Sequence, residues 1–170
     1  MQRDLMVPSD LQNALIAEIT NLLSDLVNTG NDKTYQAFNG YAQFLPVLKN
    51  DDEDEDQFFP YFIVRLDSGK TVEDDDLWTI SVDILLGVND EGTDNEGHYH
   101  ILNAINRIVT RFSQEATLGE PGHKAFRCLP EMEWALQDAD TYPYYFGAVN
   151  LKFLAPKPER RSPFGYEDYW

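Results

Sequence analysis

The chain opens with an apolar pattern typical of an amphipathic helix. Ser9 can cap the N-terminus of this helix, and leucine and isoleucine then recur at three- and four-residue spacing until the chain reaches Asn28. This spacing places the apolar side chains on one face, which can pack against a sheet or another helix. The positions in this stripe are Leu11, Leu15, Ile19, Leu22, Leu23 and Leu26.

Two strands are predicted after Pro60. Residues 61–66 are apolar and rich in β-formers, and the Asp-Ser-Gly sequence at 67–69 is typical of a turn. From residue 78 onward, apolar and polar side chains alternate, which indicates a strand with one buried face. We expect an antiparallel pair connected through residues 67–76. The apolar side of the second strand is Trp78, Ile80, Val82, Ile84 and Leu86, and its polar side is Thr79, Ser81 and Asp83.

The second half of the chain repeats this order. Apolar residues at helical spacing between Ile101 and Phe112 predict a second amphipathic helix, which the glycines and proline at 119–122 terminate. Residues 126–136 indicate a strand interrupted at Pro130, and residues 144–154 alternate as a last strand. The predicted order is therefore helix, strand, strand, helix, strand, strand.

This order predicts an α+β fold with a four-stranded, mainly antiparallel sheet and both amphipathic helices packed on one face. We expect a single domain over residues 1–156 with a long acidic loop at about 30–58, and a proline- and aromatic-rich tail at 157–170. The other face of the sheet, with Thr79, Ser81, Asp83, Asn150 and Lys152, must meet water or a partner. The predicted core includes Leu15, Ile19, Leu22, Ile63, Trp78, Ile80, Val82, Ile84, Ile105, Ile108, Trp134 and Leu151.

The composition supports a folded domain. The chain has 170 residues, of which 42% are hydrophobic and 13% aromatic, and its one cysteine cannot form an intrachain disulfide. The N-terminus lacks the basic and apolar run of a secretory signal, and no apolar stretch is long enough to span a membrane. We therefore expect a protein that is made in the cytoplasm and has no membrane contact.

Negative charge is concentrated in one quarter of the chain. The net charge is −17, and residues 51–96 hold 16 acids against two bases, Arg65 and Lys70, which leaves −14 there and −3 elsewhere. Such a field repels a phosphate backbone, so tight binding of nucleic acid is not expected. The last basic cluster in the chain comprises Lys152, Lys157, Arg160 and Arg161.

The candidate phosphate and cation motifs lack the context that they require. Gly69-Lys70-Thr71 resembles the end of a phosphate loop, but Val64 stands where that loop needs a glycine, and acidic residues follow in place of a helix. The run from Asp51 to Asp56 ends on aspartate where an EF-hand needs glycine. A solvated, mobile acidic loop is the simpler interpretation, and weak cation capture there or at Glu73 to Asp76 stays open.

Histidine and cysteine give no stronger case for chemistry. His98 and His100 diverge around a helix axis, whereas helical metal pairs favour four-residue spacing, so we expect a polar helix start. Cys128 lies among apolar residues and is expected to be a buried side chain rather than a nucleophile. The chain has no nucleophile-elbow, dinucleotide-glycine or zinc-protease motif. We predict no enzymatic activity, cofactor or metal.

Four segments of the chain occur in an order known from one class of protein. They are the strand at 60–66, the acidic turn and strand at 74–84, the helix at 101–112, and the sequence Asp-Thr-Tyr-Pro-Tyr-Tyr-Phe-Gly at 140–147 before the last strand. Together they resemble the tail-terminator and tail-completion proteins of long-tailed bacteriophages, over about residues 9–156. The acidic insertion at 51–56 and the tail from Phe164 have no counterpart that we can assign in that family.

The resemblance implies an α+β subunit of a six-membered ring. Such a ring caps the finished tail tube, stops its polymerisation and presents a surface to the head connector. The implied partners are further copies of the chain, the tail tube protein and a head-completion or neck protein. DNA would pass through the ring without specific binding, at the head-proximal end of the virion tail, and an acidic lining suits that passage because it repels phosphate.

Two sets of residues are candidates for these contacts. The tail offers contacts to a neighbouring subunit or partner through Arg160, Arg161, Phe164, Tyr166, Tyr169 and Trp170. The acidic runs offer a lumen lining or an exposed loop through Asp51, Asp52, Glu53, Asp54, Glu55, Asp56, Glu73, Asp74, Asp75 and Asp76.

Two other functions stay open. A head-completion or neck adaptor would bind the portal in place of the tube. From a different class, an acidic DNA-mimic inhibitor would bind a basic host protein as a monomer or dimer.

Overall fold

The computed structural model describes residues 8–28, 36–71, 77–120 and 123–156. Helix α1 (Pro8–Leu22) begins at a proline, which suits the first helical position because its missing N–H would have no intrahelical acceptor. Helix α2 (His98–Gln114) follows Gly97, and a 3-10 helix spans Glu55–Phe58. The strands are β1 (Val27–Asn28), β2 (Gln36–Ala37), β3 (Asn39–Ala42), β4 (Tyr61–Thr71), β5 (Leu77–Asn89), β6 (Thr117–Glu120), β7 (His123–Cys128), β8 (Glu133–Leu136) and β9 (Tyr144–Pro156).

The described residues form an α+β fold with two α-helices and a mixed sheet. The main sheet has seven strands in the order β3-β4-β5-β9-β7-β6, and β8 pairs with β9 beside β7. All pairs in it are antiparallel except β3 with β4. Strands β1 and β2 form a separate antiparallel pair. The predicted class is confirmed, whereas the predicted four-stranded sheet and its α-β-β-α-β-β order are wrong in detail.

The additional strands explain that error. Strand β3 lies inside the region predicted as a long acidic loop at 30–58, where its short Asn-Gly-Tyr-Ala sequence shows no apolar alternation. Strand β6 is only four residues long and pairs with β7. Residues 67–69, predicted as a turn, continue β4 through a register shift between Leu66 and Ser68, so Gly69-Lys70-Thr71 lies in a strand.

Both helices lie on one face of the sheet, as predicted. Helix α1 packs on β3 and β4, and α2 packs on β5, β8 and β9. Strand β6, at the other edge of the sheet, also contacts α1, so the sheet curls around the helices. Within the described residues, neither helix is long and apolar enough to cross a bilayer.

The core lies between the helices and the inward side of the long strands. Leu11, Leu15 and Ile19 recur at four-residue spacing on α1 and are fully buried. They meet the inward side chains of β5 and β9, which alternate as the sequence predicts. The fully buried residues of this side include Val82, Ile84, Val88, Val149, Leu151 and Phe153.

Nine of the twelve predicted core residues are buried, and Trp134 is a clear exception. Leu22 and Trp78 are half-buried against the core. Trp134 is 55% exposed, although its partner across the ladder, Val149, is fully buried. The periodicity is correct, but β8 lies at an edge of the sheet, where an inward-facing side chain is not covered. The prediction for Trp134 is therefore wrong.

Two arginines on α2 fix its position against α1. The Arg107 guanidinium donates to the Asp25 carboxylate and, at 3.3 Å, to the Leu22 carbonyl oxygen. Its hydrogen bond to Asp25 lowers the pKa of that carboxyl. Arg111 Nε donates to Glu18 Oε1 at 2.5 Å. These contacts satisfy charges that flank the apolar contact between the helices.

The residue after β3, Gln43, has an unusual backbone conformation. Its φ is 69°, and Phe44 N–H donates to the Ala42 carbonyl oxygen at 2.8 Å, which closes a three-residue γ-turn of the strained, positive-φ form. The Gln43 side chain acts as an extra rung of the sheet, since Oε1 accepts from Leu66 N–H at 3.0 Å and Nε2 donates to the Leu66 carbonyl oxygen at 3.0 Å. Gln12 of α1 donates to the same Oε1 at 3.1 Å.

We expect Gln43→Ala to destabilise the protein more than Gln43→Gly. Both variants lose the side-chain hydrogen bonds, each worth about 1 kcal/mol. The alanine variant also keeps the strain of a positive φ, which glycine relieves, so it should be less stable than the glycine variant by about 1 kcal/mol. Urea unfolding of the two variants measures the difference. Equal stabilities would contradict the γ-turn.

The variant Val82→Asp should unfold the protein. It places an unpaired carboxylate at a fully buried position in the centre of β5, at a cost of about 4 kcal/mol or more, which is comparable to the whole stability of many domains. Thr79→Asp, on the half-exposed side of the same strand, is the matched control and should remain folded. A cooperative thermal transition for Val82→Asp near that of the wild type would refute the assignment of the two faces.

Candidate functional site: the acidic end of the sheet

Three connecting segments meet at one end of the sheet. They are the 3-10 helix before β4, residues 90–97 between β5 and α2, and residues 137–143 between β8 and β9. The strand ends that they adjoin are cross-strand neighbours, since Tyr61 pairs with Gly87 and Asn89 pairs with Tyr144. We call this region the acidic end, because each segment brings carboxylates to it.

An aromatic cluster anchors the acidic segment to the sheet. The ring of Phe59 lies 4.9 Å from Tyr61, 5.2 Å from Tyr144 and 6.1 Å from Phe146, measured between ring centroids. These rings lie on the side of the sheet away from the helices. A side chain at Gly87 would place Cβ 2.5 Å from the Tyr61 ring, so a glycine there is required for Tyr61 to lie flat across the strand.

Tyrosines of residues 142–145 tie the other segments together. The Tyr144 hydroxyl donates to Asp56 Oδ1, which links β9 to the 3-10 helix. Tyr142 donates to the Glu91 carbonyl oxygen at 2.7 Å, and Tyr145 donates to Asn95 Oδ1 at 2.5 Å. The Tyr-Pro-Tyr-Tyr sequence therefore holds two separate acidic segments in place, a role that sequence analysis did not assign to it.

The carboxylates around these tyrosines shift the ionisation of the phenols. The hydrogen bond to Asp56, followed by burial and the charges of Asp56, Asp54 and Glu91, raises the pKa of Tyr144 to about 12. Burial, with smaller contributions from Asp90, Asp140 and Asp94, raises the pKa of Tyr145. Acidic groups that are distant in sequence thus lie near two neighbouring phenols at this end of the sheet.

The loop after β5 is ordered by its own aspartates. Asp90 Oδ1 accepts from Gly92 N–H at 2.9 Å, and Asp94 Oδ1 accepts from Glu96 N–H at 3.1 Å. The other Asp90 oxygen lies 3.1 Å from His100 Nε2, in the first turns of α2. The carboxylates of Asp90 and Asp94 are therefore held by hydrogen bonds.

Helix α2 begins at His98, which confirms the predicted polar helix start. The His98 ring stacks on Tyr99 with centroids 4.2 Å apart, while His100 turns to Asp90. Among the residues that the structure describes, no group of three or more His, Cys, Asp or Glu side chains could hold a metal ion.

The first acidic run is more structured than the sequence indicated. Asp54 Oδ1 accepts from Asp56 N–H at 3.2 Å and caps the 3-10 helix, and Glu53 Oε2 accepts from Lys49 N–H at 2.9 Å. Asp51, Asp52, Asp54 and Glu55 are exposed, whereas Glu53 and Asp56 are half-buried. The 3-10 helix is a short element within the irregular connection that the sequence predicts here, and the mobility of the acidic run stays a prediction.

The structure does not describe the remaining candidate residues, so their relation to this site stays a prediction. The acidic residues Glu73, Asp74, Asp75 and Asp76 lie outside the described residues, as do Arg160, Arg161, Phe164, Tyr166, Tyr169 and Trp170.

The one cysteine is poorly suited to nucleophilic chemistry. Cys128 is 3% exposed, and burial raises the pKa of its thiol to about 11, against a smaller opposing effect of Arg111. The thiol is therefore protonated at neutral pH and behaves as a buried apolar side chain, as predicted.

The acidic end offers charge and hydrogen-bond acceptors, which are suited to repelling phosphate or attracting a basic surface.

The polar side of the sheet carries a second ordered set of groups. Asn150 Nδ2 donates to Asp83 Oδ1 at 2.8 Å and to Ser81 Oγ at 3.0 Å, and Lys152 Nζ lies 3.0 Å from Glu131 Oε2. The residues predicted to face water or a partner thus bond largely to one another.

No family model matches this chain, and no curated protein matches it.

We expect Asp56→Asn to lower the pKa of Tyr144 towards its ordinary value near 10, because the charged acceptor is removed. Because folding raises this pKa, protonated Tyr144 contributes to the free energy of unfolding. This contribution is complete below about pH 10 and is lost as the pH rises through about 12. Tyrosinate absorbance between those limits should shift to lower pH in Asp56→Asn. The exposed Asp52→Asn is the control and should titrate like the wild type, and identical curves for all three proteins would contradict the Tyr144–Asp56 bond.

Proposed function

We propose that this chain is the subunit of a phage tail-terminator ring, which caps the tail tube, stops its polymerisation and offers the surface that joins the head. The α+β fold, with two helices on one face of a sheet, supports the proposal because the resemblance to that family implies such a subunit. The role is structural and uses no catalytic group.

The acidic end is the observation that carries the proposal. Its carboxylates come from three segments. The Tyr144 hydroxyl bonds to the Asp56 carboxylate, and short turns hold the carboxylates of Asp90 and Asp94. A fixed negative surface that borders a channel repels phosphate at every position, so DNA can pass without being bound. In the ring we assign this end, with Asp54, Asp56, Asp90, Glu91 and Asp94, to the lumen or its rim.

The same surface makes an acidic inhibitor that mimics DNA the second candidate. Fixed carboxylates on a rigid scaffold can imitate a row of phosphates and bind the basic cleft of a host protein. The two functions differ in assembly, because an inhibitor acts as a monomer or dimer, whereas a terminator has to close a ring of its own copies.

We expect the purified protein to form closed rings, either alone or on tail tubes, and to cap the tubes at one end. Light scattering after size exclusion gives the mass, and negative-stain imaging with tubes shows the position of the rings. Binding to the portal in place of the tube would indicate a head-completion adaptor. A protein that remains monomeric with tubes present would contradict the terminator function.

We expect truncation after Pro158 to leave the fold intact and to weaken ring formation or head joining. The truncation removes the aromatic and basic candidates from Arg160 to Trp170 and leaves all described strands in place. Circular dichroism checks the fold, and tube capping and head joining check the function. Normal capping and joining by the truncated protein would show that the tail is dispensable.

A further inference from the structure

Two short strands with opposite directions, β3 and β8, lie at edges of the main sheet, which also has β6 as an edge strand. In the described part of the chain, β3 pairs only with β4, and β8 pairs only with β9. Each is four residues long, and they lie on opposite sides of the central strands β4, β5 and β9. Because β3 is parallel to β4 and every step from β4 to β8 is antiparallel, β3 and β8 run in opposite directions. If two copies lie side by side with their sheets aligned, β3 of one copy is antiparallel to β8 of the next.

Large apolar side chains are exposed beside both strands. Phe44 is 66% exposed and Val47 is 86% exposed, directly after β3, and Trp134 is 55% exposed on β8. Exposed aromatic groups of this size are enriched at protein interfaces. The two patches are different in sequence and lie at opposite edges, so contact between them is heterologous and can close into a ring.

Phe44 is held in its exposed position. The γ-turn at Gln43 directs the chain out of β3, and the Arg65 guanidinium carbon lies 5.1 Å from the centroid of the Phe44 ring. Arg65 Nε also donates to the Gln43 carbonyl oxygen at 3.2 Å. The strained residue Gln43 is thus followed directly by Phe44, whose ring is held at the surface beside the β3 edge.

The two edges also differ in charge. Residues 36–48, in and after β3, contain no charged side chain, whereas residues 129–140 around β8 contain Glu131, Glu133, Asp138 and Asp140 and no base. Glu131 is paired with Lys152 of the same subunit, and Glu133 is exposed. A contact between two β8 edges would bring these acids together, whereas a contact between β8 and β3 would not, so repulsion favours contact between unlike edges.

From these observations we propose that β3 of one subunit pairs antiparallel with β8 of the next subunit, so that the sheet continues from subunit to subunit around a ring. This inference rests on the proposed ring function and identifies the surface that closes the ring. On the side of the sheet away from the helices, Asn39 and Tyr41 of one subunit would face Glu133 and Ala135 of its neighbour, because side chains alternate along each strand.

The first test is a cross-link between exposed positions on the two edges. Asn39→Cys and Ala135→Cys lie on the same side of the sheet, and a short bis-maleimide should join them between subunits in the double variant. We expect a ladder of covalent oligomers that ends at the size of the ring. Each single variant and the wild type are controls, since Cys128 is buried and reacts slowly.

The second test exchanges charges and does not depend on the cross-linker. At low salt, Asn39→Glu should weaken self-association at least about fivefold, because it places a second acid near Glu133 of the neighbouring subunit, and adding Glu133→Lys should restore it. Ser68→Glu, an equal change of charge at an exposed position of β4, is the matched control and should have little effect. Thermal unfolding checks that each variant is folded.

The outcomes separate this inference from the function on which it rests. Cross-linking confined to the double variant, together with rescue by the charge exchange, supports the pairing of β3 with β8. Rings of the wild type without such cross-linking or rescue would overturn the pairing and leave the ring function standing. A wild type that remains monomeric with tail tubes present would overturn both.

Discussion

Two neighbouring strands that run parallel cannot be joined by a tight turn, so the chain between β3 and β4 has to cross the sheet. That crossover is the segment at 43–60, which contains the first acidic run. It passes over the side of the sheet that the helices leave open, and Phe59 packs there against Tyr61 and Tyr144. The parallel pair therefore determines both what covers this side and where Asp56 meets the Tyr144 hydroxyl.

The start of the crossover depends on the same pair. At the end of β3 the chain has to leave the ladder without exposing the backbone of β4, and the Gln43 side chain provides both a donor and an acceptor to Leu66 in place of a further strand residue. This arrangement offsets the strain of the γ-turn. It also fixes the point from which Phe44 projects, so that one local solution to a hydrogen-bonding requirement creates an exposed aromatic group at the edge of the sheet.

The two sides of the sheet have different roles because they are covered differently. The helices bury the inward residues of β4, β5 and β9, and this side holds the core. Among the described residues, the cluster around Phe59 covers the other side at the acidic end, and further along the sheet Asn150 and Lys152 bond to polar neighbours. Carboxylates as distant in sequence as Asp54 and Asp140 thus lie near neighbouring phenols, where Asp54 helps to raise the pKa of Tyr144 and Asp140 that of Tyr145.

The sequence by itself determined the α+β class, both helices and the inward faces of β5 and β9, because these elements are long enough for periodic burial to show which side chains face the core. It also indicated that Cys128 is buried and that α2 begins with polar residues. Only the tertiary structure decided which strands lie at the edges. The sequence pattern therefore placed Trp134 on the inward face correctly, but it did not show that this position at an edge is exposed. Strand β3 and the role of Gln43 were missed because four residues carry too little periodicity, and because a parallel partner 22 residues away in the ladder leaves no local signal. The acidic end could not be predicted either, because the sequence contains the charges but only the path of the chain across the sheet brings them together.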